Sequence, residues 1–306
     1  VSVVIPLLNE EESLPELALQ LEDELNKIVR NRWEVIFIDD GSTDGSYSVL
    51  KSIRQRNNRF HAIRFRRNFG KSAALNAGFS AAKGSIVITM DADLQDDPAE
   101  IANLIARIKE GYDLVSGWKK VRKDPITKTI PSKFFNFVTS VFSGVKLHDF
   151  NCGLKAYKRD VIKTVQIYGE MHRYIPAIAF KEGFKVTEIP VKHHSRRYGK
   201  SKFGLTRFIK GFLDLLTFIF LARYIKRPLH FFGSIGSIFV VAGLATDLYL
   251  SVEWFLGRTA LSNRPLALFG VALIIVGVQL ISMGLLGELI VKNSYEKPYY
   301  SISERM

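Results

Sequence analysis

Short apolar runs alternate with longer mixed stretches through the first 115 positions of the chain. The runs at 2–6, 33–39, 60–65, 85–90 and 113–117 predict strands, and the stretches at 11–30, 45–57, 71–82 and 98–110 predict helices. Strands alternating with helices build parallel βαβ units, so the expected class is α/β. In such sheets ligands collect beyond the carboxyl ends of the strands, where strand order switches. Asn9-Glu10, Asp39-Asp40 and the pair Asp91 and Asp93 each fall at that end of their own predicted strand. The coincidence places a ligand site along one edge of the sheet.

The pattern changes after position 202. From Phe203 to Ala222 the polar residues Arg207, Lys210, Asp214 and Thr217 recur every three or four positions and so share one stripe of a helix. A helix apolar over the rest of its girth is expected at a bilayer interface, with a buried core helix as the alternative. Leu229–Leu250 and Leu266–Gly287 are apolar runs of 22 residues each. At ~1.5 Å per residue each reaches about 33 Å, enough to cross a hydrocarbon core of ~30 Å. Asp247 is the one acid in the first run and lies near its end, where the cost is lowest; the second holds Gln279 and no formal charge. The short linker Ser251–Pro265 makes the pair a hairpin. Arg223, Lys226 and Arg227 before it, with Lys292 and Lys297 after it, put the larger portion on the cytoplasmic side, although Arg258 and Arg264 in the linker soften the contrast. The expected plan is a catalytic domain at 1–202, a juxtamembrane interface helix at 203–227, a transmembrane hairpin at 228–290 and a cytoplasmic tail at 291–306. Gly233 and Ser237 offer a face on which helices, and copies of the chain, can approach.

Charge narrows the partners. The net charge is +13 over 306 residues, which suits nucleic acid, an anionic membrane surface or phosphate-bearing substrates. The chain has no zinc-finger spacing and no aromatic RNA-binding signature, so nucleic acid is not expected. Basic residues gather in Trp118–Lys133 and again in His193–Lys202. Cys152 is the only cysteine, so no intrachain disulfide can form and a reducing compartment is expected; it reads as a small buried residue, not a nucleophile. No signal peptide is visible, and the chain opens inside a strand-like run without an initiator Met, so a few native residues are expected ahead of it.

The acids at the strand ends carry the chemistry. Asp91 and Asp93, one residue apart after the apolar run Gly84–Met90, repel each other unless a cation lies between them. Mg²⁺ or Mn²⁺ takes oxygen ligands and completes its shell with substrate phosphates; Gln95 can add a carbonyl. Bound there, the ion neutralises charge as a nucleoside diphosphate departs. Asp39 or Asp40 can accept the N–H of a pyrimidine base, while Asp44 suits a helix cap or a support for the turn. Lys71 can meet the ribose or the phosphates, or simply lie solvated.

Pro6-Leu7-Leu8-Asn9-Glu10, Asp39-Asp40-Gly41-Ser42-Thr43-Asp44, Asp91-Ala92-Asp93-Leu94-Gln95 and Arg196-x-x-Gly199-x-Ser201-Lys202 resemble the motifs of family 2 glycosyltransferases. With the hairpin they resemble most the polyprenyl-phosphate glycosyltransferases, of the dolichol-phosphate mannosyltransferase and bactoprenol glucosyltransferase kind, across essentially the whole chain. The resemblance implies a GT-A fold with a mostly parallel, Rossmann-like sheet, a divalent metal, and inverting transfer of a sugar from a nucleotide donor to a lipid phosphate. It implies that Pro6, Leu8, Glu10 and Asp40 line the nucleoside pocket, and that Asp91, Asp93 and Gln95 hold metal and diphosphate. Arg196 would reach the diphosphate, and Ser201 and Lys202 would shape the loop over it. Relatives often carry Tyr where Leu8 stands, so a ring stack on the base is lost here. Asp149, in Asp149-Phe150-Asn151-Cys152-Gly153, matches an acidic D-x-x-x-G position; a base, electrostatic support and a structural turn all fit it.

The acceptor phosphate needs cations of its own. A polyprenyl monophosphate has a second pKa of about 6, by analogy with phosphorylated side chains, and is largely a dianion at neutral pH. Such a nucleophile needs positioning more than a base. Lys119, Arg122 and Lys133 are the candidates, and the resemblance favours a basic residue near Lys133, where the partly apolar stretch 134–142 begins. A processive polysaccharide synthase would need a Q-x-x-R-W segment and a wider channel, a nucleotidyltransferase a G-x-G-T-R loop, and the chain has neither. A non-catalytic scaffold would have no need of Asp91, Asp93 and Gln95. For the donor, UDP-glucose, and for the acceptor, undecaprenyl phosphate in a bacterial inner membrane, are the expectations.

Overall fold

Among the described residues, seven strands form one mixed sheet: β1 (Ser2–Leu7), β2 (Glu34–Asp39), β3 (Phe60–Arg64), β4 (Ile86–Thr89), β5 (Leu114–Trp118), β6 (Lys155–Lys158) and β7 (Val186–Pro190). The computed structural model describes residues 1–120, 136–165, 167, 169, 171–195, 217, 220, 224, 227–258 and 265–293. Strand order is β3-β2-β1-β4-β6-β5-β7. Every pairing is parallel except those of β6, which runs against both β4 and β5. The order reverses at β1 and β4, so a crevice opens beyond their carboxyl ends. Because β6 alone is inverted, its amino end lies at that same edge. The loop before it therefore faces the crevice.

The sequence sets these elements locally. Val3, Val4 and Ile5 in β1 are all fully buried, the continuous apolar signature of a strand covered on both faces. Helix α1 (Leu14–Val29) buries Leu14, Leu17, Leu21 and Leu25, one stripe at three- and four-residue spacing. That stripe packs in one core with Ile101, Leu104, Ile105 and Ile108 of α4 (Glu100–Lys109) and with Val3, Val35 and Ile88 of the sheet. Each such leucine contributes ~1.5–3 kcal/mol by burial. Helices α2 (Ser46–Arg56) and α3 (Lys71–Ala81) complete the βαβ units, with α3 against β1 and β2. The predicted strands and helices each appear within a few residues of their expected bounds. Beyond β5 come α5 (residues 136–143), α6 (Arg159–Thr164), a 3₁₀ turn at Met171–Tyr174 and α7 (Ile175–Lys181).

The chain divides into two compact units, Val1–Phe218 and Ile219–Tyr300. The second contains α8 (Pro228–Phe255) and α9 (Pro265–Asn293), packed side by side. Both are long and apolar enough to cross a membrane, with mean hydropathy 1.8 and 2.5, and most of their surface faces outward. A core helix of a soluble protein would be mostly covered. They approach through glycines: a Cβ on Gly236 would lie 2.6 Å from the Gly277 carbonyl, and one on Gly243 2.6 Å from that of Gly270. Among the residues expected to act, Arg122, Lys133, Arg196, Ser201 and Lys202 lie outside the described residues, as does the 203–227 helix apart from Thr217, Phe220, Tyr224 and Arg227.

Candidate active site

Four strand ends of the sheet lead into the residues expected on the donor side. Pro6 and Leu8 are half-buried at the end of β1. Asn9 follows in the left-handed region (φ 57°), a conformation Asn tolerates, and its Oδ1 accepts the Thr43 N–H at 2.8 Å. The Glu10 N–H donates to Ser46 Oγ at 2.9 Å, and Ser13 Oγ donates to Glu10 Oε2 at 3.3 Å. The loops after β1 and β2 are thus laced together.

Asp39 and Asp40 end β2 and have separate tasks. The Asp39 side chain is fully buried; its Oδ1 accepts the Ser42 N–H at 2.7 Å and its Oδ2 faces Arg64 Nε at 3.4 Å. It is occupied within the fold. Asp40 accepts the N–H groups of Phe69 at 2.7 Å and Gly70 at 3.0 Å, fixing the loop after β3. Gly41 lets that loop pass: at φ +77° it adopts a backbone few side chains tolerate, and a Cβ there would meet the Arg67 carbonyl carbon at 2.5 Å. Asp44 lies one residue ahead of the helix's N-cap, Gly45, and supports the turn there, accepting the Ser46 N–H at 3.0 Å.

Lys71, the first residue of α3, pairs with Asp91 at the end of β4. Burial by itself would raise the Asp91 carboxyl, but the Lys71 ammonium, with Lys119 and Lys155 behind it, holds it down to about 2. Asp91 is therefore ionised at any working pH. Asp93 Oδ1 accepts the Gln95 N–H at 3.3 Å across Leu94, whose φ of 57° is a strained conformation for a branched residue. Gly153 presses on the pair's other side, since a Cβ there would lie 2.5 Å from Asp91 Oδ2. The donor set suits a hard cation: two carboxylates and one carboxamide, all oxygen, leave about half of an octahedral shell to substrate phosphates and water. Among the described residues no group of three or more His, Cys, Asp or Glu side chains converges, at this edge or elsewhere.

The far wall of the crevice was less legible from sequence. Lys119, expected at the acceptor phosphate, is only 15% exposed and lies 3.3 Å from Asp96, a carboxylate almost wholly buried. Burial alone would lower the Lys119 ammonium, and Asp96 outweighs it and raises it well above the ordinary lysine value. Lys155, at the inverted amino end of β6, is buried and donates to the Cys152 carbonyl. Burial pushes its ammonium downward, against the pull of Asp149 and Asp91. The Cys152 thiol is pushed up to about 12 by burial and by Asp96, so it stays protonated, as a packing residue should. Asp149 is fully buried, in reach of both lysines' fields, with Oδ1 accepting the Asn151 N–H at 3.0 Å. Lys155, Asp96 and His172 carry no local sequence signal. Each acquires its role from strands or helices distant in the chain.

His172 sits against Ser72 at the start of α3, with Nδ1 3.1 Å from Ser72 Oγ. Burial, helped by Lys71 and Arg173, pushes its pKa down to about 2, so the imidazole is neutral. On the other side of the crevice, residues 192–195 are strapped across the start of α4. The His194 N–H donates to the Gln95 carbonyl at 2.8 Å, and Asp96 and His193 form a single antiparallel bridge. That strap leads directly into the 196–202 segment.

The sequence profile of glycosyl transferase family 2 matches residues 2–166. The dodecaprenyl-phosphate galacturonate synthase of Rhizobium johnstonii is 38% identical over 299 residues, covering 96% of this chain and 88% of that protein. The undecaprenyl-phosphate 4-deoxy-4-formamido-L-arabinose transferase of Salmonella typhimurium is 36% identical over 292 residues, covering 95% and 88%. Among solved structures, a mannosyltransferase of Pyrobaculum calidifontis in complex with GDP-Man and Mn²⁺ superposes with a TM-score of 0.52 at 17% identity, covering 97% of this chain and 76% of that one. Glucosyl-3-phosphoglycerate synthase of Mycobacterium tuberculosis, with Mn²⁺ and UDP-glucose, gives 0.51 at 20% identity, covering 72% and 79%. At that identity the two structures attest the GT-A fold and nothing finer.

Proposed function

This chain belongs to glycosyl transferase family 2, and with that as premise we propose that it is a membrane-anchored enzyme moving a sugar from a nucleoside diphosphate to a polyprenyl phosphate. The observation that carries the reading is the Lys71–Asp91 pair at the crevice edge, within the field of Lys155, in a chain whose relatives match it almost end to end. The relatives' names point to galacturonate and a formamido-arabinose as transferred sugars, so glucose has no support from them. A UDP-linked donor is our preferred reading.

Asp91, Asp93 and Gln95 would hold Mg²⁺ or Mn²⁺, which neutralises charge on the departing diphosphate. Lys71, released from Asp91 by the arriving donor, turns its ammonium to the phosphates. Asp40 keeps the loop at Phe69-Gly70 fixed against the nucleoside, with Pro6, Leu8 and Glu10 opposite. A phosphate oxygen of the acceptor attacks the anomeric carbon from the face opposite the leaving group. One C–O bond forms as the bond to the nucleoside diphosphate breaks, and the configuration inverts. The acceptor is already anionic, so Asp149 has no proton to remove at neutral pH. Its carboxylate, flanked by Lys119 and Lys155, instead supports positive charge developing at the sugar.

Helices α8 and α9 would anchor the enzyme with the catalytic unit on the cytoplasmic side, by the flanking basic residues. The α5 face bearing Phe137, Val141 and Phe142, exposed by 67, 61 and 38%, would rest on the lipid surface where the acceptor's phosphate emerges. The test is a transfer assay on detergent-purified protein with undecaprenyl phosphate and labelled UDP-galacturonate, UDP-4-deoxy-4-formamido-L-arabinose, UDP-glucose and GDP-mannose, with Mn²⁺ or excess chelator. Label in the lipid phase that chelator abolishes is the expected result. Absence of label with every donor, while UDP still binds, would overturn the reaction.

A further inference from the structure

Asp149 sits on a stretch without regular structure, residues 144–154, that enters β6 from the crevice edge. Such a stretch does not aim a buried carboxylate unaided. Val145, Leu147 and Asp149 are buried while Lys146 and His148 are exposed, so the backbone is extended and its alternate side chains enter the fold. An extended backbone needs partners for its peptide groups. Asn136, on α5 and only 6% exposed, supplies them on both sides of Asp149. Its Nδ2 donates to the His148 carbonyl at 2.8 Å, and its Oδ1 accepts the Phe150 N–H at 3.3 Å. The two peptide groups flanking Asp149 are thereby gripped by one side-chain amide, and their chemistry forces the amide's orientation, donor to the carbonyl and acceptor to the N–H. Ser116 Oγ, from β5, adds a longer contact to the Asp149 carbonyl at 3.4 Å.

We propose that Asn136 is the positioning residue for Asp149: it fixes the 148–150 backbone so that the buried carboxylate keeps its place at the crevice edge, and it ties that placement to α5. The helix that bears the exposed Phe137 and Val141 also carries this grip, one residue from Phe137. Contact of α5 with the lipid surface and the aim of Asp149 are then a single rigid arrangement, in which the acceptor's environment sets the geometry of the reacting site. No other common side chain replaces the amide. Aspartate would turn a second acceptor toward the His148 carbonyl, glutamine would overreach by one methylene, and alanine would leave both peptide groups without the partner the amide supplies.

The inference rests on the proposed transfer reaction, so wild-type transfer of label to undecaprenyl phosphate is the first arm. Given that activity, Asn136→Ala and Asn136→Asp should each lower kcat by ~10- to 100-fold, the scale of a displaced reacting group, with the donor KM and UDP binding nearly unchanged. Ser140→Ala, a change on the same helix that loses only a bond to the Val145 carbonyl four residues short of Asp149, should retain wild-type kcat. The decisive arm is a double-mutant cycle: in an Asp149→Asn background, Asn136→Ala should cost little further, since the group it aims is already gone. Additive losses, or wild-type kcat in a folded Asn136→Ala protein, would overturn the proposal, as would full activity of Asp149→Asn. Should Asn136→Ala not fold, Asn136→Gln enters the same cycle. A wild-type protein that transfers nothing defeats the reaction itself, an outcome distinct from all of these.

Discussion

Asp91 is held between opposite demands. It must stay charged in a partly closed crevice, and Lys71 ensures that by pairing with it, at the cost of occupying the oxygen that a cation or donor would use. Gly153 leaves the carboxylate its room on the other side. Gly153→Ala should therefore push Asp91 off its position and lower kcat by ~10- to 100-fold while thermal unfolding stays near wild type; a kcat within a factor of two would show that the carboxylate has slack. Lys119 answers to a different constraint. Its partner Asp96 is about as buried as a carboxylate can be, and removing one member of a buried pair strands the other. Lys119→Met should cost ~3–5 kcal/mol in thermal or urea unfolding, and an unfolding midpoint equal to wild type would return Lys119 to a purely acceptor-facing role. The D-x-D acids and Lys71 were readable from sequence because each follows its own strand or opens its own helix. Asp96 with Lys119 was not, because the partners come from different strand ends and meet only when the sheet forms.

Elements repeat the distinction. The helices and strands of the first half announce themselves by apolar spacing, and their ends differ from expectation by a residue or a few. Strand β6 is short, Lys155–Lys158, with two lysines among its four residues, and nothing local tells that it runs against its neighbours. Its inversion brings Lys155 beneath Asp91, which explains how a plain surface-looking lysine escaped notice. The hairpin was legible from length and apolarity, but its packing depends on reciprocal glycines. In lipid, where apolar side chains gain nothing by meeting each other, close backbone approach is what holds two helices together. Gly236→Leu should therefore lengthen the distance between spin labels placed at Ile238 and Val278, and an unchanged distance would place the packing determinant elsewhere.

At the scale of the whole molecule, burial of neutral groups sets a pH response. His172 has a folded pKa of about 2 against an ordinary value of 6.5. Between those values the unfolded chain binds a proton that the folded chain refuses. The full stability is present above pH 6.5 and declines as pH falls, by up to about 1.4 kcal/mol per unit from this residue alone. Thermal unfolding between pH 7.5 and 5.5 should show a steeper loss for wild type than for His172→Gln; parallel curves would mean that the imidazole protonates in place.

The reversed strand has one more consequence. Lys119, α5, Asn136 and Asp149 all fall between Trp118, the last residue of β5, and Lys155, the first of β6, so in sequence they form one continuous stretch. The strand ends that carry Asp40, Lys71 and Asp91 were all laid down before it began. Nature can exchange such a cassette by a single recombination event, and so can the bench. A chimaera that takes residues 119–154 from a relative with a different lipid preference should inherit that preference while keeping its own choice of sugar nucleotide.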